Sequence, residues 1–146
     1  MERFLKSKYK IGGKISENPF SITYKGTTLG FERPVIIKIY KRGVLNSSLI
    51  KVIKRKVKTL CEISHPNIAK VLDGDYGWQG FYFVREYVEG RPLSLILESG
   101  KPLSCEKGRK IALEVCEAIR VAHENDIIHG ALNPDNIILT EAGIIK

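Results

Sequence analysis

Residues 127–140 read IIHGALNPDNIILT. Apolar residues flank Gly130, Pro134 and two turn-forming asparagines, Asn133 and Asn136, which is the composition of a loop held between buried elements. Upstream, residues 105–123 carry apolar side chains at helical spacing over a broad arc, and a shorter helical pattern covers Leu93 to Leu97. Before these, HPNIAKVLDGDYGWQGFYFVREYV, residues 65–88, offers two strands joined through a glycine-rich turn around Asp73 to Gly80. SSLIKVIKRKVKTLCEI, residues 47–63, has Leu49, Val52, Ile53, Val57, Leu60 and Ile63 on one predicted helical face. The front of the chain, Tyr9 to Tyr40, is an antiparallel meander of YKIGGKI, FSITYKGTTL and PVIIKIY. Downstream of the loop, Ile137 to Leu139 and Ile144 to Lys146 form a last short strand pair. The order predicts an α+β arrangement with a strand-rich front and a helical back.

At 146 residues, 43% of them hydrophobic, the chain can bury a core as one domain or two small lobes. No run reaches the roughly 18 apolar residues of a membrane span, and MERFLKSKYK lacks a secretory signal's apolar stretch, so a cytoplasmic location is expected. Cys61, Cys105 and Cys116 lack metal-ligand spacing and read as reduced, mostly buried thiols. The formal charge of +8 divides unevenly: residues 1–58 carry 15 Lys/Arg against 3 Asp/Glu, and residues 59–146 carry 9 against 13. A basic front could attract nucleic acid, anionic lipid or an acidic protein. The basic run is not interleaved with the aromatics on which single-stranded nucleic acid stacks, so a solvated lysine-rich surface is the plainer reading.

Several landmarks recur in order: Lys38 after three apolar residues, HPNI at 65–68, EYVEG at 86–90 and HGALNPDN at 129–136. Together they resemble the first half of a eukaryotic-like serine/threonine protein kinase, from its glycine-rich loop to just past its catalytic loop. The resemblance implies an α+β protein-kinase-like fold. Residues 1–90 would be an antiparallel-sheet N-lobe with one main helix, and residues 91–146 a truncated helical C-lobe.

The same resemblance assigns roles to individual positions. The family's glycine-rich loop lets backbone amides approach ATP phosphates. Here Ser16, Asn18 and Ser21 take the three glycine positions, and Pro19 has no amide proton. Lys38 ends VIIK and would reach the phosphates, while Ile36 takes the alanine position that floors the adenine pocket and overfills it. Glu86 and Val88 belong to the hinge, whose backbone would meet adenine, and Arg85 stands at the gatekeeper. A strand arginine lying along the surface is the plainer reading of Arg85.

The helix glutamate that would hold Lys38 is Lys56. At 100° per residue from Leu49, Lys51, Lys54, Arg55 and Lys58 fall at about 140° to 240°, whereas Lys56 lies near 340°, within the arc of Val52, Leu60 and Ile63. Lys56 either points inward, where it would repel Lys38, or snorkels outward, or meets an anion.

In the catalytic loop Ala131 replaces the aspartate that accepts the substrate proton, and Asn133 replaces the lysine that helps neutralise the transferring phosphate. Asn136, the magnesium ligand of the family, is kept. The expectation is a catalytically inactive pseudokinase-like interaction module with no catalytic residue and no cofactor of its own. It would act through Lys51, Lys54, Arg55 and Lys58 and through the uncovered side of the helix at 105–123, by a protein partner or self-association. The alternative is a divergent serine/threonine kinase that binds ATP through Lys38, Glu86 and Val88 and magnesium through Asn136. A third is a basic module for nucleic acid or anionic membrane.

Overall fold

Alternating burial along the front strands builds a six-stranded antiparallel sheet. The computed structural model describes residues 3–100 and 102–146. These form two units, the first running through Ile63 and from Lys70 to Tyr87, the second comprising Ser64–Ala69 and Val88–Lys146.

In the first unit, β1 (Arg3–Leu5), β2 (Tyr9–Glu17), β3 (Ser21–Thr28), β4 (Pro34–Tyr40), β5 (Val71–Gly77) and β6 (Gly80–Glu86) are hydrogen-bonded in the order β1-β2-β3-β4-β6-β5. Odd residues of β4 and even residues of β6 share one face, because side chains alternate across a strand. There Val35, Ile37, Ile39, Tyr82 and Val84 pack with Leu5, Tyr9 and Ile11. Val35, Ile37 and Val84 are fully buried, and each contributes about 1.5–3 kcal/mol of apolar transfer. On the other face, Tyr40, Phe81 and Phe83 meet α1 (Ser47–Glu62) through Ile50, Ile53, Val57 and Leu60. The sheet therefore carries a core on each side.

Helix α1 begins where Asn46 Oδ1 accepts the Leu49 amide at 2.8 Å. Its last turn has no basic residue. Lys70 supplies that charge from just before β5, its Nζ donating to the carbonyls of Cys61 at 2.7 Å and Ile63 at 2.9 Å. The β5–β6 hairpin turns at Gly80, with φ +127°, and a Cβ there would collide with the Tyr40 carbonyl oxygen. Only glycine suits such a site.

The helical spacing of α1 is as expected, but its buried stripe is rotated. Leu60, Ile53, Val57 and Ile50 span about 20° to 100° on the same wheel, while Leu49 and Val52 are exposed at 44% and 52%. Lys56, at the edge of that stripe, is exposed. Of the orientations open to Lys56, the exposed position matches the outward one, because the residues that meet Phe81 and Phe83 lie a quarter turn away.

In the second unit, β7 (Arg91–Pro92) pairs with β8 (Ile138–Leu139), with α2 (Leu93–Glu98) and α3 (Cys105–Glu124) between them in sequence. Leu93, Ile111, Leu139 and Ile145 form its core, joined by Ile96, Leu103, Val115 and Ile137. The expected last strand pair is reduced to a single bridge, Leu139 with Ile145. Asn67 ties this unit's ends together. Its Nδ2 donates to Glu114 Oε2 at 3.1 Å and to the Ile145 carbonyl at 2.9 Å, and Glu114 Oε2 also accepts the Ile145 amide at 3.1 Å.

Two of the three cysteines differ from expectation. Cys105 and Cys116 are exposed and Cys61 is partly buried. Cys105 opens α3, and Cys116 lies on the side of α3 away from Ile111 and Ala118, the residues that helix buries. Among the described residues no helix is long and apolar enough to cross a membrane.

Candidate functional site

Candidate residues occur in both units. The turn between β2 and β3 is organised by one side chain. Asn18 Oδ1 accepts the amides of Phe20 at 2.9 Å and Ser21 at 2.8 Å, together with the Ser21 hydroxyl at 3.3 Å. The Asn18 amide donates to the Ser21 carbonyl at 2.9 Å. This is an Asx turn, the arrangement that an Asn before proline favours. Its chemical effect is that the amides of Phe20 and Ser21 point at a neutral oxygen of their own chain, and Pro19 between them has none to give. Beside the turn, Glu17 pairs with Lys41 at 2.9 Å and Lys14 at 3.0 Å. The hydrogen bonds from Lys41 and then Lys14 hold its carboxyl down at about 2.

Lys38 sits on the α1 side of the sheet, paired with Thr23 on β3 and Phe83 on β6. It is partly buried, and its ammonium lies 5.3 Å from the centre of the Tyr40 ring. Among the described residues it has no carboxylate partner. The next row places Lys25, Ile36, Arg85 and Val71 side by side. Ile36 is buried at 9% exposure.

Arg85 is partly buried rather than laid along the surface, and burial pushes its guanidinium pKa down. Its row explains this, since Ile36 and Val71, both buried, flank it across the sheet. Arg85 Nη1 donates to the Glu86 carbonyl at 3.3 Å. One lone pair of that hinge carbonyl is therefore already engaged. The Glu86 carboxylate accepts the Lys70 amide at 2.9 Å, and the Tyr87 amide donates to the Pro34 carbonyl at 3.2 Å. Val88, in the second unit, is partly buried.

In the segment at the family's catalytic-loop position, Asn133 Oδ1 accepts the amides of Asp135 at 3.0 Å and Asn136 at 3.2 Å, capping the 3-10 turn Pro134–Asn136. The residue at the lysine position thus serves the backbone. Asn136 Nδ2 donates to the Ala131 carbonyl at 2.8 Å, which fixes the amide and leaves Oδ1 as the free acceptor. Ala131 presents a methyl group, and its amide donates to His129 Nδ1 at 3.3 Å. Among the described residues no group of three or more His, Cys, Asp or Glu could hold a metal. The Asn136 oxygen fits a single metal ligand. The β2–β3 turn as it stands does not fit a phosphate chain, because the donors such a chain needs are spent within the turn.

Of the helix cations expected to mediate contacts, Lys51, Arg55 and Lys58 are exposed and unpaired among the described residues, whereas Lys54 is bound to Asp75, which also binds Lys6. On α3, Leu113 is 59% exposed. Val115, Cys116, Ile119, His123 and Leu132 line a depression of about 680 Å³ in the second unit, rimmed by Arg120 and Glu124. Reasoning from sequence missed the Asn18 and Asn133 side-chain bonds, although the Asn-Pro dipeptides at 18–19 and 133–134 signal such turns.

Known proteins share both sequence and fold with this chain. A serine/threonine-protein kinase of Clostridium perfringens, described as probable, is 31% identical over 145 residues, which is 99% of this chain and 21% of the relative. PrkC of Bacillus subtilis, a serine/threonine-protein kinase, is 29% identical over 143 residues, or 97% of this chain and 22% of the relative. The chain thus spans about a fifth of the length of these relatives. The crystal structure of Rad53 residues 1–466 in complex with AMP-PNP superposes with a TM-score of 0.80 at 22% identity, covering 93% of this chain and 36% of that one. That likeness shows the fold. The family profile described as protein kinase domain matches residues 9–146, and this chain belongs to that family.

Proposed function

We propose that the chain is a pseudokinase-like module that acts by binding a protein partner and does not transfer phosphate. The observation that carries this reading is the β2–β3 turn, where Asn18 takes the Phe20 and Ser21 amides and Pro19 offers none. Phosphoryl transfer in this family consists of positioning and charge stabilisation, so a loop whose donors face inward gives up its part in both. Ala131 adds a second loss, since a methyl group cannot accept the proton of a substrate hydroxyl. Asn133 adds a third, being a turn cap where a cation is needed. The interaction surfaces are the exposed cations of α1 and the uncovered flank of α3, in a cytoplasmic setting.

A thermal melt with ATP and magnesium tests the reading. A one-site ligand stabilises by RT ln(1 + [L]/Kd), about 1.4 kcal/mol at ten times Kd. The expected shift at millimolar nucleotide is nil, and a shift abolished by Lys38→Ala would overturn the degenerate-site reading.

A second reading is a divergent serine/threonine kinase that binds ATP. It is favoured by Asn136, whose amide is fixed with its oxygen free, and by the kinases to which the chain is similar. The same melt separates the two.

A further inference from the structure

Helix α1 presents a face that its own fold leaves unused. Lys51, Arg55 and Lys58, spaced i, i+4 and i+7, fall within about 60° on the wheel and rise about 10 Å along the axis. All three are exposed and have no acidic partner among the described residues. Glu62, the single acid of the helix, pairs with none of them. Like charges at i, i+4 weaken a helix, so the band is a standing electrostatic cost. The first turn contains no acid to offset it. Lys54, on the neighbouring flank, shows how a carboxylate relieves such a charge, through Asp75 of the same unit.

Val52, 52% exposed, lies about 60° from Arg55 on the wheel, and Leu49, 44% exposed and one turn before it, lies a further 60° or so round towards the buried stripe. Exposed aliphatics next to unpaired cations fit one kind of occupant. We infer that this face docks an acidic amphipathic segment of a protein partner. Its carboxylates would match Lys51, Arg55 and Lys58, and one or two of its aliphatic side chains would cover Leu49 and Val52. An anionic bilayer fits less well, because an interfacial helix needs its main apolar face free and here that face is packed on Phe81. Single-stranded nucleic acid fits less well too, since α1 carries no aromatic residue for stacking.

The inference rests on the interaction reading above, and its test contains no nucleotide, so it fails or stands apart from any result on ATP. The probe is a fluorescein-labelled helical peptide with glutamates at i, i+4 and i+7 beside two leucines, titrated by anisotropy. Polyglutamate, phosphatidylserine vesicles and oligo(dT) are titrated in parallel. Saturable binding of the peptide is expected, weakened roughly tenfold or more by the triple reversal Lys51→Glu, Arg55→Glu, Lys58→Glu, and severalfold by Leu49→Ser with Val52→Ser. Reversal of Lys107 and Arg109, in the second unit, should leave it unchanged. All these positions are exposed, and an unaltered circular dichroism spectrum verifies that each variant folds. Equal binding of polyglutamate, tighter binding of vesicles or oligo(dT), or indifference to both α1 variants would overturn the inference.

Discussion

Asn18→Ala tests whether the β2–β3 turn is held by the side chain that replaces a loop glycine. The substitution removes an acceptor for two amides, at 2.9 and 2.8 Å, and for the Ser21 hydroxyl at 3.3 Å. Hydrogen bonds of this kind contribute about 0.5–1.5 kcal/mol net each. The turn is exposed apart from Ser21, at 3%, so water replaces part of the loss and the total should be about 1–2 kcal/mol. In a chain of 146 residues this lowers Tm by roughly 3–6 °C. The assay is thermal unfolding followed by circular dichroism, with amide exchange of Phe20 and Ser21 read by NMR. Both amides should exchange faster in the variant. The companion variant, Asn18→Gly with Pro19→Ser, frees the two amides and adds a third donor, and should respond to ATP and magnesium more than the parent. A folded Asn18→Ala protein with unchanged Tm and unchanged exchange at both amides would refute the reasoning, since the amides would then not be committed to Asn18.

Other outcomes follow from the same geometry. Gly80→Ala should destabilise the first unit by about 2–4 kcal/mol, because φ is +127° and the new Cβ meets the Tyr40 carbonyl; denaturant unfolding measures it, and a loss under 0.5 kcal/mol contradicts it. Asn67→Ala should cost about 1–3 kcal/mol by stranding Glu114 and the Ile145 carbonyl, and should speed hydrogen exchange at the Ile145 amide. For Asp75, burial raises the carboxyl pKa, but hydrogen bonds from Lys54 and Lys6 outweigh it and the net shift is down. A depressed folded pKa gives stability that is present above the ordinary carboxylate pKa, about 4, and is lost as pH falls through the lower folded value. Asp75→Asn should therefore destabilise by about 0.5–1.5 kcal/mol at pH 7 and flatten the acid limb of the stability profile; equal stability at pH 7 would contradict it.

Periodicity made the two long helices and β2 to β6 legible in the sequence, because apolar spacing reports burial directly. Strand β1, three residues long, is too short to carry a pattern. The face of α1 was harder. Six apolar positions spread over more than one stripe, and only the contacts with Phe81 and Phe83 select Ile50, Ile53 and Val57 over Leu49 and Val52. The orientation of Lys56, left open by the sequence, is decided by the same contacts. Arg85 is drawn into partial burial by its cross-strand neighbours Ile36 and Val71, and register of that kind is invisible until the sheet is built. Motif order gives the candidate site positions, with Lys38, Ala131, Asn133 and Asn136 at family spacing. What Asn18 and Asn133 do instead of the family's glycine and lysine depends on side-chain rotamers, and only the hydrogen bonds disclose it.

Incubation of the chain with ATP labelled at its γ-phosphate, with magnesium and a generic protein acceptor, probes the central claim most directly. Label should remain at the level of the enzyme-free blank, for the parent and for Lys38→Ala alike. Incorporation above that blank, lost on Lys38→Ala, would mean that phosphate is transferred with no carboxylate at position 131 and without the loop amides, and the account would be wrong.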